Sequence, residues 1–96
     1  MKEAVKILIA DDNPVIIAAT RRVLESAGYT VISARDGEEA LEVTRAQRPN
    51  LLLLDVNMPK MDGLETCRRI KSDPQLAGTF ITVSYTHLTL PTKRIV

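Results

Sequence analysis

The stretch LLLLDVNMPKMDG, Leu51 to Gly63, decides how this chain folds. Leu51 to Val56 is the most apolar run in the sequence, short and without polar alternation, which is the pattern of a strand buried on both faces. The run reaches an acid, Asp55. A turn-rich loop follows, and Asp62 stands where an N-cap would open a helix over about Leu64 to Ser72.

Upstream, the same grammar recurs. Val5 to Ala10 (VKILIA) is a short apolar run rich in β-branched residues that stops at Asp11 and Asp12, again a buried strand ending in acid. Asn13 before Pro14 is an N-cap followed by a proline at the first helical position, and Val15, Ala18, Ala19, Arg22, Val23 and Ala27 follow at helical spacing until Gly28 closes the helix. Tyr29 to Ala34 reads as a second strand. Asp36 caps a helix over GEEALEVTRAQ, whose inner face carries Ala40, Leu41 and Thr44, and Pro49 and Asn50 end it. Downstream, Thr79 to Thr82 begins a fourth strand. Strands alternating with helices in this rhythm predict parallel βαβ units with right-handed crossovers and helices on both faces of the sheet.

Composition sets the bounds. The chain has 96 residues, 45% hydrophobic and 26% charged, which suits one globular domain. Its formal net charge is +1 with both signs interspersed, so no electrostatic footprint for nucleic acid or an anionic membrane is present. Cys67 is the single cysteine. One thiol can form neither an internal disulfide nor a cysteine zinc site, and it reads as a small, partly buried helix residue. The N-terminal apolar run meets two aspartates too soon to be a signal peptide or a membrane span, so the expected location is cytoplasmic.

Function is carried by three aspartates at strand ends. In an open parallel sheet the ligand crevice lies at the carboxyl ends of the strands, so Asp11, Asp12 and Asp55 converge there if the first and third strands are neighbours. Three carboxylates repel unless a cation joins them. Oxygen-only ligands on a solvent-facing loop suit Mg²⁺, which binds through one or two carboxylates and keeps waters that a phosphate can displace. An aspartate can also attack phosphorus to form an acyl phosphate, and Asp55 is the candidate nucleophile because the adjacent Asp11 and Asp12 look like a metal cradle.

On these residues the chain resembles the receiver domains of two-component response regulators. ILIADDNP, ARDGEEALE, LLLLDVNMPKMDGLE and IKSDPQLAG carry the likeness, over roughly residues 5 to 81. The resemblance implies a flavodoxin-like doubly wound parallel sheet and a phosphoryl group taken from a histidine kinase or phosphotransfer protein. It further implies a switch in an output surface, with no direct nucleic-acid contact from this segment and no membrane association. Asp55 matches the phosphoacceptor, Asp12 a direct Mg²⁺ ligand and Asp11 its water-mediated partner. Asn57 matches the residue whose backbone carbonyl completes the metal site. Pro59 and Gly63 match residues that shape the loop beneath it, one with a fixed φ and one with a permissive φ. The expected role is a phosphoacceptor module and not an enzyme. Two other readings are a pseudo-receiver that only binds a partner protein and an aspartyl-phosphate phosphatase. The intact acid set opposes the first, and Asn57, where such phosphatases carry a second aspartate, opposes the other.

After the fourth strand the likeness stops. Receivers continue with a helix, a fifth strand and a last helix, and nothing in this chain reads as those elements. The family's fourth strand ends in a serine or threonine that contacts the phosphoryl group. The aligned position reads as Tyr85, with Ser84 and Thr86 out of phase by the strand period of two. Lys93 comes too early to be the family's lysine after the fifth strand. VSYTHLTLPTKRIV, residues 83–96, instead resembles the conceptual translation of a transposase sequencing adapter (GTC TCT TAT ACA CAT CTG ACG CTG CCG ACG) followed by an index. The expected organisation is therefore a partial receiver domain over 1–82, truncated after the fourth strand, and a non-native tail over 83–96. Loss of an edge strand and two covering helices is expected to impair activity and folding.

Overall fold

The computed structural model of the chain describes residues 5–56, 58, 60–76 and 78–84. Seven elements alternate: β1 (Lys6–Ala10), α1 (Pro14–Ser26), β2 (Thr30–Ala34), α2 (Gly37–Gln47), β3 (Leu51–Asp55), α3 (Gly63–Ser72) and β4 (Phe80–Ser84). Expected boundaries hold to within one or two residues, because each helix start carries a side-chain cap. Asn13 Oδ1 accepts from the Val15 N–H at 2.9 Å, Asp36 Oδ1 from Glu39 at 2.8 Å and Asp62 Oδ1 from Glu65 at 2.9 Å. Glu39 Oε1 in turn accepts from the Arg35 N–H at 2.8 Å, which ties the first turn of α2 to the residue before its cap. At the other end of α1, Gly28 takes φ +98° while Tyr29 N–H donates to Leu24 O and Gly28 N–H to Glu25 O, a Schellman closure.

The strands form one parallel sheet in the order β2-β1-β3-β4. From β1 the chain crosses outward to β2, returns past β1 to β3 and continues to β4. Right-handed crossovers in opposite directions must put their helices on opposite faces, and they do. Ile17 of α1 packs with Ile9 and Val31 on one face, and residues of α2 and α3 pack with Leu8, Leu52 and Leu54 on the other. The second face holds the larger core, where Leu8, Ala40, Leu52 and Ile70 are fully buried. Removing a side chain such as Leu52 to alanine costs about 2–5 kcal/mol at a site of this kind. Asn50 secures the opposite ends of three strands: its side chain accepts from Lys6 N–H at 2.8 Å, its N–H donates to Lys6 O, and its carbonyl accepts from Phe80.

Coverage of the two faces is unequal. On the α1 side, α1 reaches β1 and β2 among the described residues, while Leu51 and Leu53 are half-buried and Phe80 is 76% exposed. Among the described residues, the Leu51 to Leu54 run is thus under-covered on the α1 face alone.

Two sequence readings are corrected. The α1 residues Val15, Ala18, Ala19 and Val23 face outward, Val15 at 72% and Val23 at 67% exposure, and the inner stripe is Ile17, Arg21 and Leu24. Both stripes have helical spacing, so periodicity alone could not choose between them. Gly63 is needed for space, not for a positive φ. A Cβ there would lie 2.5 Å from the Asp55 carbonyl oxygen and 3.0 Å from Val56 Cα.

Candidate functional site

Parallel pairing of β1 with β3 matches Ala10 to Leu54, so the next residues, Asp11 and Asp55, stand side by side at the ends of their strands. They do so where the strand order reverses, the crevice position of an open α/β sheet. Asp11 is 3% exposed and Asp55 2%, whereas Asp12 is open to solvent. One carboxylate oxygen from each of the three lies within 4.8 Å of the others. The convergence expected for Asp11, Asp12 and Asp55 is therefore present.

Backbone geometry fixes this arrangement. The Asp11 N–H donates to Ala34 O at 3.1 Å, which anchors the end of β1 to β2. Asp11 Oδ1 accepts from the Asn13 N–H at 2.9 Å, and the Asn13 side chain in turn caps α1. A single Asp-Asp-Asn-Pro turn thus orients an acid and starts a helix. Burial pushes the Asp11 carboxyl above its ordinary value, the nearby charges of Asp55 and Asp12 push the same way, and the Asn13 N–H opposes them. Such a cluster gains from a cation.

A cavity of about 120 Å³ runs from Asp11 and Asp55 toward Ile16 and Thr20 of α1 and Thr82 of β4. On the other side, the Gly63 N–H donates to Val56 O at 3.1 Å and brings the start of α3 against the end of β3. The turn between them is tied to α2. Lys60, at φ 68°, sets its ammonium 3.7 Å from Asp36 Oδ2, and the start of α2 at Gly37 comes so close to the Met61 backbone that no Cβ fits.

Asn57 and Pro59 lie outside the described residues, as does Tyr85. Ser84 is a position that sequence reasoning set aside as out of phase. In the β3–β4 register the partner of Asp55 is Ser84, so among the described residues Ser84 is the one level with the acid. No local signal could have found it, because its place follows only from the register that sets Phe80 opposite Leu51.

The model of the response regulator receiver domain family matches residues 7–93. Response regulator MprA of Mycobacterium ulcerans is 49% identical over 69 residues, which are 72% of this chain and 30% of that relative. The chain thus spans under a third of the length of this curated relative. The N-terminal domain of a response regulator receiver protein from Methanoculleus marisnigri JR1 superposes with a TM-score of 0.79 at 44% identity, covering 81% of this chain and 63% of that one. The receiver domain of sensor histidine kinase PA1611 from Pseudomonas aeruginosa PAO1 superposes at 0.79 and 30% identity, over 84% of this chain and 66% of that one. That structure holds a magnesium ion coordinated in its active site cleft.

Proposed function

The chain belongs to the response regulator receiver domain family, and from that premise we propose that it is a phosphoacceptor module that takes a phosphoryl group onto Asp55. The observation that carries the reading is the approach of carboxylate oxygens from Asp11, Asp12 and Asp55 to within 4.8 Å of one another. The donor set fits Mg²⁺: it is all oxygen, it combines two buried acids with one exposed acid, and burial makes the uncompensated charge costly. Asp11 and Asp12 would hold the ion together with Asp55, and Asn57 would add its backbone carbonyl.

The donor is a phosphohistidine on a histidine kinase or phosphotransfer protein. A carboxylate oxygen of Asp55 attacks phosphorus as the phosphorus–nitrogen bond breaks, and the imidazole leaves with the electron pair. Mg²⁺, when bound, neutralises charge on the transferring oxygens. The pairing of Asp55 with Ser84 at the end of β3 fixes the backbone that carries the attacking carboxylate. The close seat of Gly63 fixes the peptide that follows. Ser84 is the residue for the phosphoryl contact that receivers make from the end of their fourth strand, a reading supported by its register with Asp55. Transfer from a cognate kinase, Mg²⁺ dependence and a cytoplasmic setting form one proposal; no described helix is long and apolar enough to cross a membrane.

A tetrahedral or trigonal phosphoryl analogue tests the reading directly. Beryllofluoride should perturb the Asp11, Asp12, Asp55 and Ser84 resonances in Mg²⁺ and leave them unmoved in EDTA. Binding that ignores the metal, or that survives Asp55→Ala, contradicts the proposal.

We also propose that receiver sequence ends at about Thr82 and that residues 83–96 are adapter-derived, so that the serine at position 84 stands at the end of β4 only because the adapter happens to encode it. The support is the codon-by-codon likeness of VSYTHLTLPT to adapter bases.

A further inference from the structure

We propose that Arg21 closes the free edge of β2 against strand addition by a second copy of the chain. β2 is the outermost strand on its side of the sheet. The Thr30 N–H donates to Val5 O at 2.9 Å and Ala34 O accepts from Asp11 at 3.1 Å, so the even-numbered residues of β2 turn their backbone groups toward β1. In a parallel ladder the alternate residues must then turn theirs away. Val31 and Ser33 present the edge, and an edge of this kind is a template for another strand.

Arg21 projects from α1 across that edge. One guanidinium nitrogen, Nη1, donates to Val31 O at 3.2 Å and the other, Nη2, to the Ser33 hydroxyl at 3.2 Å. Glu25, one turn on, holds Nη1 at 3.5 Å from its other side. The planar fork thus lies along two successive outward residues, where a pairing strand would have to place its own donor. A charged donor on an edge carbonyl also imposes a desolvation cost on any strand that displaces it. The natural occupant of an exposed β2 edge is the same edge of another molecule. Two copies related by a two-fold axis pair antiparallel and complete each other's outward groups.

The test is hydrogen exchange read at single residues in the full chain across a dilution series. In the unaltered chain the Val31 and Ser33 amides should exchange at rates independent of concentration. In Arg21→Met, which keeps the aliphatic stem and loses the donors, exchange at those two amides should slow as concentration rises, with self-association strengthened about tenfold or more. Arg21→Lys, which can reach only one of the two acceptors, should show the same trend in smaller degree and covers the case in which the methionine variant fails to fold. Association through the exposed Phe80 side of the sheet would leave Val31 and Ser33 unprotected, so the readout separates the two surfaces. The proposal is overturned by any of three results: concentration-independent exchange in both variants, association that spares these amides, or concentration-dependent protection already present in the unaltered chain.

Discussion

Ala10 of β1 is the parallel partner of Leu54 of β3, and this pairing sets Asp11 beside Asp55 at the reversal of strand order. The chemistry proposed for the chain depends on that adjacency, and so does its electrostatic cost. The Asp11 carboxyl is held above its ordinary value by burial first and also by the Asp55 and Asp12 charges. A folded-state value above the unfolded one means that stability falls as pH rises through that interval, and the deficit persists at neutral pH. Asp11→Asn keeps an acceptor for the Asn13 N–H and removes the charge. In metal-free buffer at neutral pH this variant should melt higher than the parent by a few degrees, with the gap closing in acid. Mg²⁺ should raise the melting temperature of the parent and leave the variant unchanged.

Gly63→Ala should damage both fold and site. The new methyl group would meet the Asp55 carbonyl oxygen at 2.5 Å, backbone that cannot swing aside. Forcing the start of α3 away from β3 should cost about 1–3 kcal/mol. Thermal melts with and without Mg²⁺ should show a lower melting temperature and a smaller metal-induced rise.

Phe80 presents an opposite case. At 76% exposure on the uncovered side of β4 it contributes little to the core. Phe80→Thr keeps strand propensity and should change stability by less than about 0.5 kcal/mol. Binding of a hydrophobic dye and loss of protein to aggregates should both fall. A drop of several degrees in melting temperature would show that Phe80 is packed against something.

Sequence patterns exposed most of this architecture because the signals were local. Buried strands announced themselves as the runs ending at Asp11 and Asp55, and Asn13, Asp36 and Asp62 marked helix starts by a cap chemistry that acts within three residues. What stayed hidden depends on pairing. The inner face of α1 could not be chosen between Val15, Val23 and their neighbours and Ile17 and Leu24 without knowing how the helix leans on β1 and β2. The role of Gly63 required the distance between two elements. The place of Ser84 required the β3–β4 register. A one-residue slip in a strand moves every side chain to the other face, which is why sequence alone could not settle which residue of β4 stands level with Asp55.

Deleting residues 87–96 should leave melting temperature and Mg²⁺ affinity nearly unchanged, because β4 reaches Ser84 without them. Resequencing the source locus without transposase adapters should return different codons after about Thr82. A read that reproduces the tail would contradict the adapter account.

The central claim is tested most directly by trapping the phosphoryl group. The chain is incubated with acetyl phosphate and Mg²⁺, reduced with borohydride and mapped by peptide mass spectrometry. The account predicts one modified residue, Asp55, with the label lost in EDTA and in Asp55→Ala and diminished in Ser84→Ala. Label on another aspartate, or label on Asp55 that forms equally well in EDTA, would contradict it.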